Sequence, residues 1–214
     1  MKNLIFKTLY QNSKIELDIY KSKFIASAYP VKSQIEAINR IEEISKVYHD
    51  ATHNCYAYII SDETNLYEKF SDDGEPSGTA GLPILQTLKN KSLINSLIIV
   101  TRYYGGIKLG KGGLVRAYTN ASLLAIENSK IAIMKKHCIY NIEINYNYKN
   151  IIDKIIKDNN LFLENVIYLE KISMIINIDM EIEDKIIKKM ISATNGEIKY
   201  EKISTTYKSI AFEY

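Results

Sequence analysis

The residues with the densest potential for chemistry lie in two segments, 71–81 and 102–118. The second sets five glycines, Gly105, Gly106, Gly110, Gly112 and Gly113, among Arg102, Lys108, Lys111 and Arg116. Gly105-x4-Gly110-Lys111 follows most of the spacing of a nucleotide-binding P-loop, in which successive backbone N–H groups cradle phosphate ahead of a helix. The pattern breaks at Gly112, where a Ser or Thr hydroxyl would be needed to hold Mg²⁺. No acidic strand of the Walker type accompanies it, so nucleotide hydrolysis is disfavoured and binding of a phosphate or another oxyanion is retained. Arg102-Tyr103-Tyr104 adds two rings beside a cation, a combination able to stack on unpaired bases. The plainer alternative is that these glycines only permit positive φ and close packing.

The first segment, Ser71-Asp72-Asp73-Gly74-Glu75-Pro76-Ser77-Gly78-Thr79, concentrates three carboxylates between two turn signals. Paired carboxylates can bind a hard cation or exchange protons. The D-x-D-x-D-G spacing of a calcium loop is absent, which favours a turn whose Asp side chains cap nearby amides. Such a loop would also be satisfied by packing near Arg102 or Lys111. His49, Asp50, His53 and Cys55 form a zinc-like cluster, but no second group completes a tetrahedral set; His137 and Cys138 are remote. There is no G-x-S-x-G elbow for a serine hydrolase. On these grounds no catalytic residue, metal or cofactor is assigned.

Charge reinforces the basic reading of the glycine segment. The whole chain carries only +3, yet from Pro76 to Ile126 there is no Asp or Glu, and Lys89, Lys91, Arg102, Lys108, Lys111 and Arg116 bring +6. Two of the three arginines, Arg102 and Arg116, flank the glycines, where a guanidinium offers two-point recognition of an oxyanion. No apolar run approaches the roughly 20 residues of a membrane helix. The opening MKNLIFKTLYQNSK lacks the apolar stretch of a signal peptide. Cys55 and Cys138 read as reduced, buried thiols of a cytoplasmic protein.

The elements that must position these residues can be read from periodicity. Strands are expected over 15–19 and 24–29. Ser33-x-x-Glu36 is a capping box opening a helix whose stripe is Ile35, Ile38, Ile41 and Ile44. Further strands cover 55–60 and 97–101, the latter continuously apolar and therefore buried. A short helix over 82–88 begins near Pro83. Residues 105–113 are expected as loop, and a helix from Leu114 presents Ala117, Tyr118, Ala121 and Ala125 to a sheet. Near Lys135 the character changes, with eight of nine glycines lying before it. Strands over 142–148, 161–169, 172–180 and 197–204, with helices over 151–156 and 182–191, give the β-α-β-β-α-β order of a ferredoxin-like unit. Two domains, 1–135 and 136–214, follow.

Phe70–Gly81 (FSDDGEPSGTAG) and Arg102–Tyr118 (RYYGGIKLGKGGLVRAY) closely resemble the paired signatures of the YigZ/IMPACT family. Ala51-Thr52-His53-Asn54-Cys55 resembles that family's A-x-H-x-C element, and Lys23-Phe24 its entry strand. The resemblance implies an α+β chain. Its first, β-α domain would be like that of a small-subunit ribosomal protein and of a late domain of elongation factor G, followed by a ferredoxin-like domain. It also implies a link to translation, since eukaryotic members relieve starvation signalling by competing for a ribosome-associated activator. The family-motif residues His53, Asp72, Asp73, Gly74, Glu75, Pro76, Gly78 and Thr79 would form one feature. Arg102, Tyr103, Tyr104, Gly105, Gly106, Lys108, Gly110, Lys111, Gly112, Gly113 and Arg116 would form an anion- or nucleic-acid-binding surface. The expected protein is a non-enzymatic translation regulator whose partner is RNA, the ribosome or a ribosome-associated protein, with no membrane. An enzyme acting on a small anionic metabolite, with Asp72, Asp73 or Glu75 as acid–base groups, is the rival. A pure protein-interaction module is the third reading. The sequence does not specify the oligomeric state.

Overall fold

A computed structural model describes residues 5–62 and 64–213. The first four residues, on which the signal-peptide expectation partly rests, lie outside them. The elements run β1 (Ile5–Leu9), β2 (Ser13–Ile19), β3 (Ser22–Pro30), α1 (Gln34–Val47), β4 (His53–Ser61), β5 (Leu66–Ser71), α2 (Gly81–Asn90), β6 (Ser96–Tyr103) and α3 (Gly110–Ser129). There follow β7 (Ile131–Ile144), a 3-10 turn (Tyr146–Tyr148), α4 (Lys149–Asp158), β8 (Phe162–Tyr168), β9 (Ile172–Asp179), α5 (Glu183–Ala193) and β10 (Lys199–Glu213). The architecture is α+β, and contacts divide it into two compact units. The first runs through Ile133 and takes in the chain from Ile210; the second is Met134–Ser209.

The first unit is built on an antiparallel sheet ordered β2-β3-β6-β4-β5. Its central strand β6 is buried from Ser96 to Arg102, which explains the unbroken apolar run: helices cover both faces. On one face α2 and α3 pack Ile84, Leu88, Leu114, Ala117, Tyr118 and Ala121 against Phe24, Ala26, Cys55 and Val100. On the other, α1 packs Ala37 and Ile44 against Tyr58, Leu97 and Ile99.

The capping box forms as expected, with Glu36 N–H donating to Ser33 Oγ at 3.2 Å and Lys32 N–H to Glu36 Oε2 at 2.7 Å. The buried stripe of α1 is different, however. Ala37, Ile41, Ile44 and Tyr48 face the core, whereas Ile35 is 72% exposed and Ile38 is 41% exposed. Steps of three residues drift about 60° each at 3.6 residues per turn, while 4-3-4 spacing stays on one face. α3 also begins four residues before Leu114, so Gly110–Gly113 form its first turn rather than a loop. The first N–H groups of a helix have no ladder partner, so apolar periodicity cannot report them. β1 and β5 were not anticipated. β5 is a largely exposed edge strand with no alternation to read.

In the second unit β10 pairs β7, followed by β9 and β8, the 4-1-3-2 order of a ferredoxin-like sheet. Ile142, Ile144, Ile152, Ile155, Met174, Ile176, Ile186 and Met190 make its core. The strand expected over 142–148 ends at Ile144, because Tyr146–Tyr148 turn into the 3-10 segment ahead of α4. β10 continues well past residue 204. No helix among the described residues is long and apolar enough to cross a membrane.

Candidate functional site

The two signature segments meet in a buried polar network. Arg102 sits at the end of β6, 4% exposed, and its Nη1 donates to Glu75 Oε1 at 2.6 Å. Tyr118, from the buried face of α3, donates its hydroxyl to the same oxygen at 2.8 Å. Arg102 Nη2 donates to Ser22 Oγ at 3.2 Å, and its guanidinium lies 5.4 Å from the ring centres of both Phe24 and Tyr104. Arg102 Nε is buried with no hydrogen-bond partner among the described residues. Cys55 completes the group, its thiol donating to Asp72 C=O at 2.9 Å and lying 3.5 Å from Tyr118 Oη. Burial pushes the Cys55 thiol up to about 12, against the opposing pull of the Tyr118 hydrogen bond, and burial also raises the Tyr118 phenol. Both stay protonated at neutral pH, so Arg102 and Tyr118 are the donors to the one carboxylate and the network holds no thiolate nucleophile.

The acidic loop consumes its own carboxylates. Asp72 reaches forward to the start of α2, its Oδ2 accepting from Gly78 N–H at 2.8 Å and its Oδ1 from Ala80 at 3.0 Å and Gly81 at 2.8 Å. The Ala80 and Gly81 amides are among the donors that a helix leaves orphaned, and the Gly78 amide belongs to the turn before it. Asp73 Oδ2 accepts from Asn54 N–H at 2.5 Å. Asp73 and Gly74 take φ of 43° and 85° in a turn closed by Glu75 N–H to Asp72 C=O at 2.9 Å. His53 lies with Nδ1 2.7 Å from Asp73 C=O and Nε2 3.9 Å from Glu75 Oε2. Pro76 C=O accepts from the Thr79 hydroxyl at 2.6 Å, and Gly78 turns the chain at φ 74°. Asp side chains capping nearby amides is what this loop does. Among the described residues, no group of three or more His, Cys, Asp or Glu is placed to hold a metal ion.

The glycine segment divides between the two environments. Arg102, expected on the binding surface, lies in the buried network, with its charge held inside by Glu75. Tyr103 is likewise tied, its hydroxyl donating to Asp50 Oδ1 at 2.7 Å, a bond that pushes the phenol up to about 12. Tyr104 is 44% exposed. Gly105 is packed so closely that a Cβ would fall 1.9 Å from Lys21 C=O, and its N–H donates to Ser22 Oγ at 3.2 Å. Gly106 and Gly110, at φ 85° and 69°, face open space. Lys108, Lys111 and Arg116 are exposed, and among the described residues none of them is ion-paired.

Beside these cations lies a cleft of about 490 Å³. It is formed by Ile19 and Tyr20 at the end of β2, by residues 107–109, and by Gly113, Arg116, Ala117 and Asn120 of α3. The Arg116 guanidinium folds back toward the first turn of α3, 3.8 Å from where a Cβ on Gly112 would stand. None of the described lining residues is a carboxylate, and the acidic loop does not border the cleft. Ser22, Cys55 and Tyr118 as network members, and Tyr20 and Asn120 as cleft members, were not expected from sequence. Tyr118 recurred at helical spacing as a core residue, and nothing in that spacing marked its hydroxyl. Tyr20 left no signal, since it occupies a two-residue turn without Asn or Gly.

Residues 20–126 match the family model of the Impact N-terminal domain. The chain is 33% identical over 200 residues to the IMPACT family member YvyE of Bacillus subtilis (strain 168), covering 94% of this chain and 92% of that protein. It is 40% identical over 102 residues to the IMPACT family member YigZ of Escherichia coli (strain K12), covering 47% and 50% of the two. With a Dictyostelium discoideum protein named IMPACT homolog it shares 40% over 94 residues, 42% of this chain and 26% of the other. A crystal structure described as a hypothetical protein superposes with a TM-score of 0.60 at 24% identity, covering 94% of this chain and 98% of its own, and so shares the fold. The family model over residues 20–126, which holds the whole buried network, and the 33% identity to YvyE over most of both chains establish that the chain belongs to the YigZ/IMPACT family.

Proposed function

We propose that the chain is a non-enzymatic, translation-related regulator that meets RNA, alone or in the ribosome, through the basic face of Lys108, Lys111 and Arg116, and that it acts in the cytoplasm. The observation that carries this reading is the exposure of three cations on one loop and the first two turns of the adjoining helix, beside a cleft with no carboxylate among its described lining residues. Phosphate contact by such side chains positions a nucleic acid without reading its sequence. The enzyme reading loses support because its acid–base groups are already engaged: Asp72 caps α2, Asp73 bonds Asn54, and Glu75 is buried against Arg102 and Tyr118. Arg102 is left out of the proposed surface.

The test is binding of a single-stranded RNA oligomer followed across salt concentrations. Three phosphate contacts give a slope of log K against log salt of about −2. Lys111→Glu with Arg116→Glu should weaken binding for every sequence tried and flatten that slope. Tight binding indifferent to salt and to both changes refutes the proposal, and a lack of RNA affinity beside capture of a ribosome-associated protein supports the interaction-module reading instead.

A further inference from the structure

The cleft beside α3 has a composition that phosphate contact alone does not use. Ile19, Ile107, Leu109 and Ala117 give it apolar walls, Lys108 and Arg116 supply positive charge, and Asn120 offers an amide. A volume of about 490 Å³ is that of a site for one small ligand. A double helix does not enter a recess of that size. A bare oxyanion would leave the apolar walls wet, and a purely apolar ligand would leave two cations and an amide unanswered. The occupant that satisfies all of them has a flat apolar ring, a polar ring edge and a negative charge.

Tyr20 supports the same reading independently. It is 71% exposed and borders the cleft, so its side chain is available to a ligand there. Ile19 pairs with Ser22, which makes Tyr20-Lys21 a two-residue hairpin turn, and both residues take positive φ, 45° and 65°. Such a turn favours Asn-Gly, because side chains crowd the left-handed region. Strained backbone of this kind persists where surrounding structure enforces it, and it gathers at ligand clamps. The hairpin itself requires positive φ at both residues, and Gly105 packs against the turn, where a Cβ would fall 1.9 Å from Lys21 C=O.

Building on the phosphate-contact reading of this face, we infer that the cleft receives one unpaired nucleotide. Tyr20 stacks on the base, Asn120 bonds its polar edge, and Arg116 with Lys108 holds the phosphate. The ligand class is therefore single-stranded nucleic acid or a free nucleoside monophosphate, which the probes below separate from simple anions.

The experiment uses the full chain and 2-aminopurine riboside 5′-monophosphate, whose fluorescence falls on stacking, with ribose 5-phosphate as competitor. Wild type should quench the probe, and ribose 5-phosphate should compete at least about tenfold more weakly than the nucleotide. Tyr20→Phe should bind within about twofold of wild type, and Tyr20→Ala should lose about tenfold. Tyr20→Asn is the decisive variant, since Asn tolerates positive φ: it should fold at least as stably as wild type and still lose the quenching. If ribose 5-phosphate competes as well as the nucleotide, or if Tyr20→Asn binds like wild type, the base site is overturned while phosphate contact stands. Absence of quenching at millimolar probe also overturns it. Salt-dependent binding of an RNA oligomer, measured beside it, decides separately whether the basic face still functions.

Discussion

Arg102 and Glu75 place opposite charges 2.6 Å apart at 4% and 7% exposure, with Tyr118 and Ser22 supplying further hydrogen bonds. A buried pair of this kind gains little over well-packed apolar side chains, but losing one partner strands the other in a medium that solvates it poorly. Glu75→Gln should therefore cost about 3 kcal/mol in urea unfolding. The double variant Glu75→Gln with Arg102→Met should cost less than the two single changes added together, because residues in one network couple. Additive losses would mean that the two groups do not depend on each other. Cys55 is a second residue-level case. Fully buried and pushed up to about 12, it should resist iodoacetamide at pH 8 in the native protein and react once unfolded, as peptide mass spectrometry would read. The motifs marked Glu75 and Arg102 in the sequence, but not Ser22 or the Tyr118 hydroxyl that complete the network. Which of them turned inward was not visible, since an arginine beside glycines reads as a surface cation until its partner is located.

At the scale of elements, two turns are held by aspartates in different ways. Asp72 caps α2 from eight to nine residues upstream, a cap that no N-cap rule finds because Ala80 holds the N-cap position without a side-chain bond. Asp72→Ala frees three amide donors and should lower stability by roughly 2 kcal/mol, with Asp72→Asn losing less. Equal losses for both would argue that charge rather than acceptance is what matters. Asp62 closes the β4–β5 hairpin, its Oδ1 accepting from Thr64 N–H at 2.8 Å and Asn65 N–H at 2.6 Å. These bonds, the Thr64 amide's first, hold its carboxyl down to about 2. A depressed carboxyl contributes stability that is complete above its unfolded value of about 4 and disappears as the pH falls through the folded value. Hydrogen-exchange protection in this hairpin should accordingly fall between about pH 4 and 2, and Asp62→Asn should remove that pH dependence. Helices and central strands were readable here because periodicity records burial. The first turn of α3 and the edge strand β5 were not, because neither has a buried face to record.

For the molecule as a whole, the two units have separate apolar cores, and the signature residues all lie in the first. β10 begins in the second unit, while its last residues, from Ile210, belong to the first. There Phe212 meets Tyr10 edge to face, with ring centres 4.6 Å apart. Phe212→Ala should thus destabilise the first unit by about 1 kcal/mol and leave the second unchanged, measured as hydrogen exchange in each core. A loss confined to the second unit would reverse that assignment. Periodicity placed the ferredoxin-like order of the second unit with few errors, since β7, β9, α4 and α5 each show one buried apolar face. It did not show that the final strand would run far beyond residue 204, where the exposed side chains of Tyr207, Ile210 and Phe212 carry no burial pattern.

Alone, the sequence determined the α+β class, the family signatures and the acid-free stretch from Pro76 to Ile126, because composition, order and spacing are properties of the chain itself. Tertiary structure decided how those charges divide. Arg102 goes inside with Glu75, while Lys108, Lys111 and Arg116 remain outside beside a cleft completed by Tyr20 and Asn120. Burial and pairing depend on groups brought together from strands, loop and helix that are far apart in the chain, such as Tyr20 and Asn120. Local spacing carries no record of such meetings, and so the same glycine-rich segment could be recognised from its residues but assigned a surface only from its neighbours.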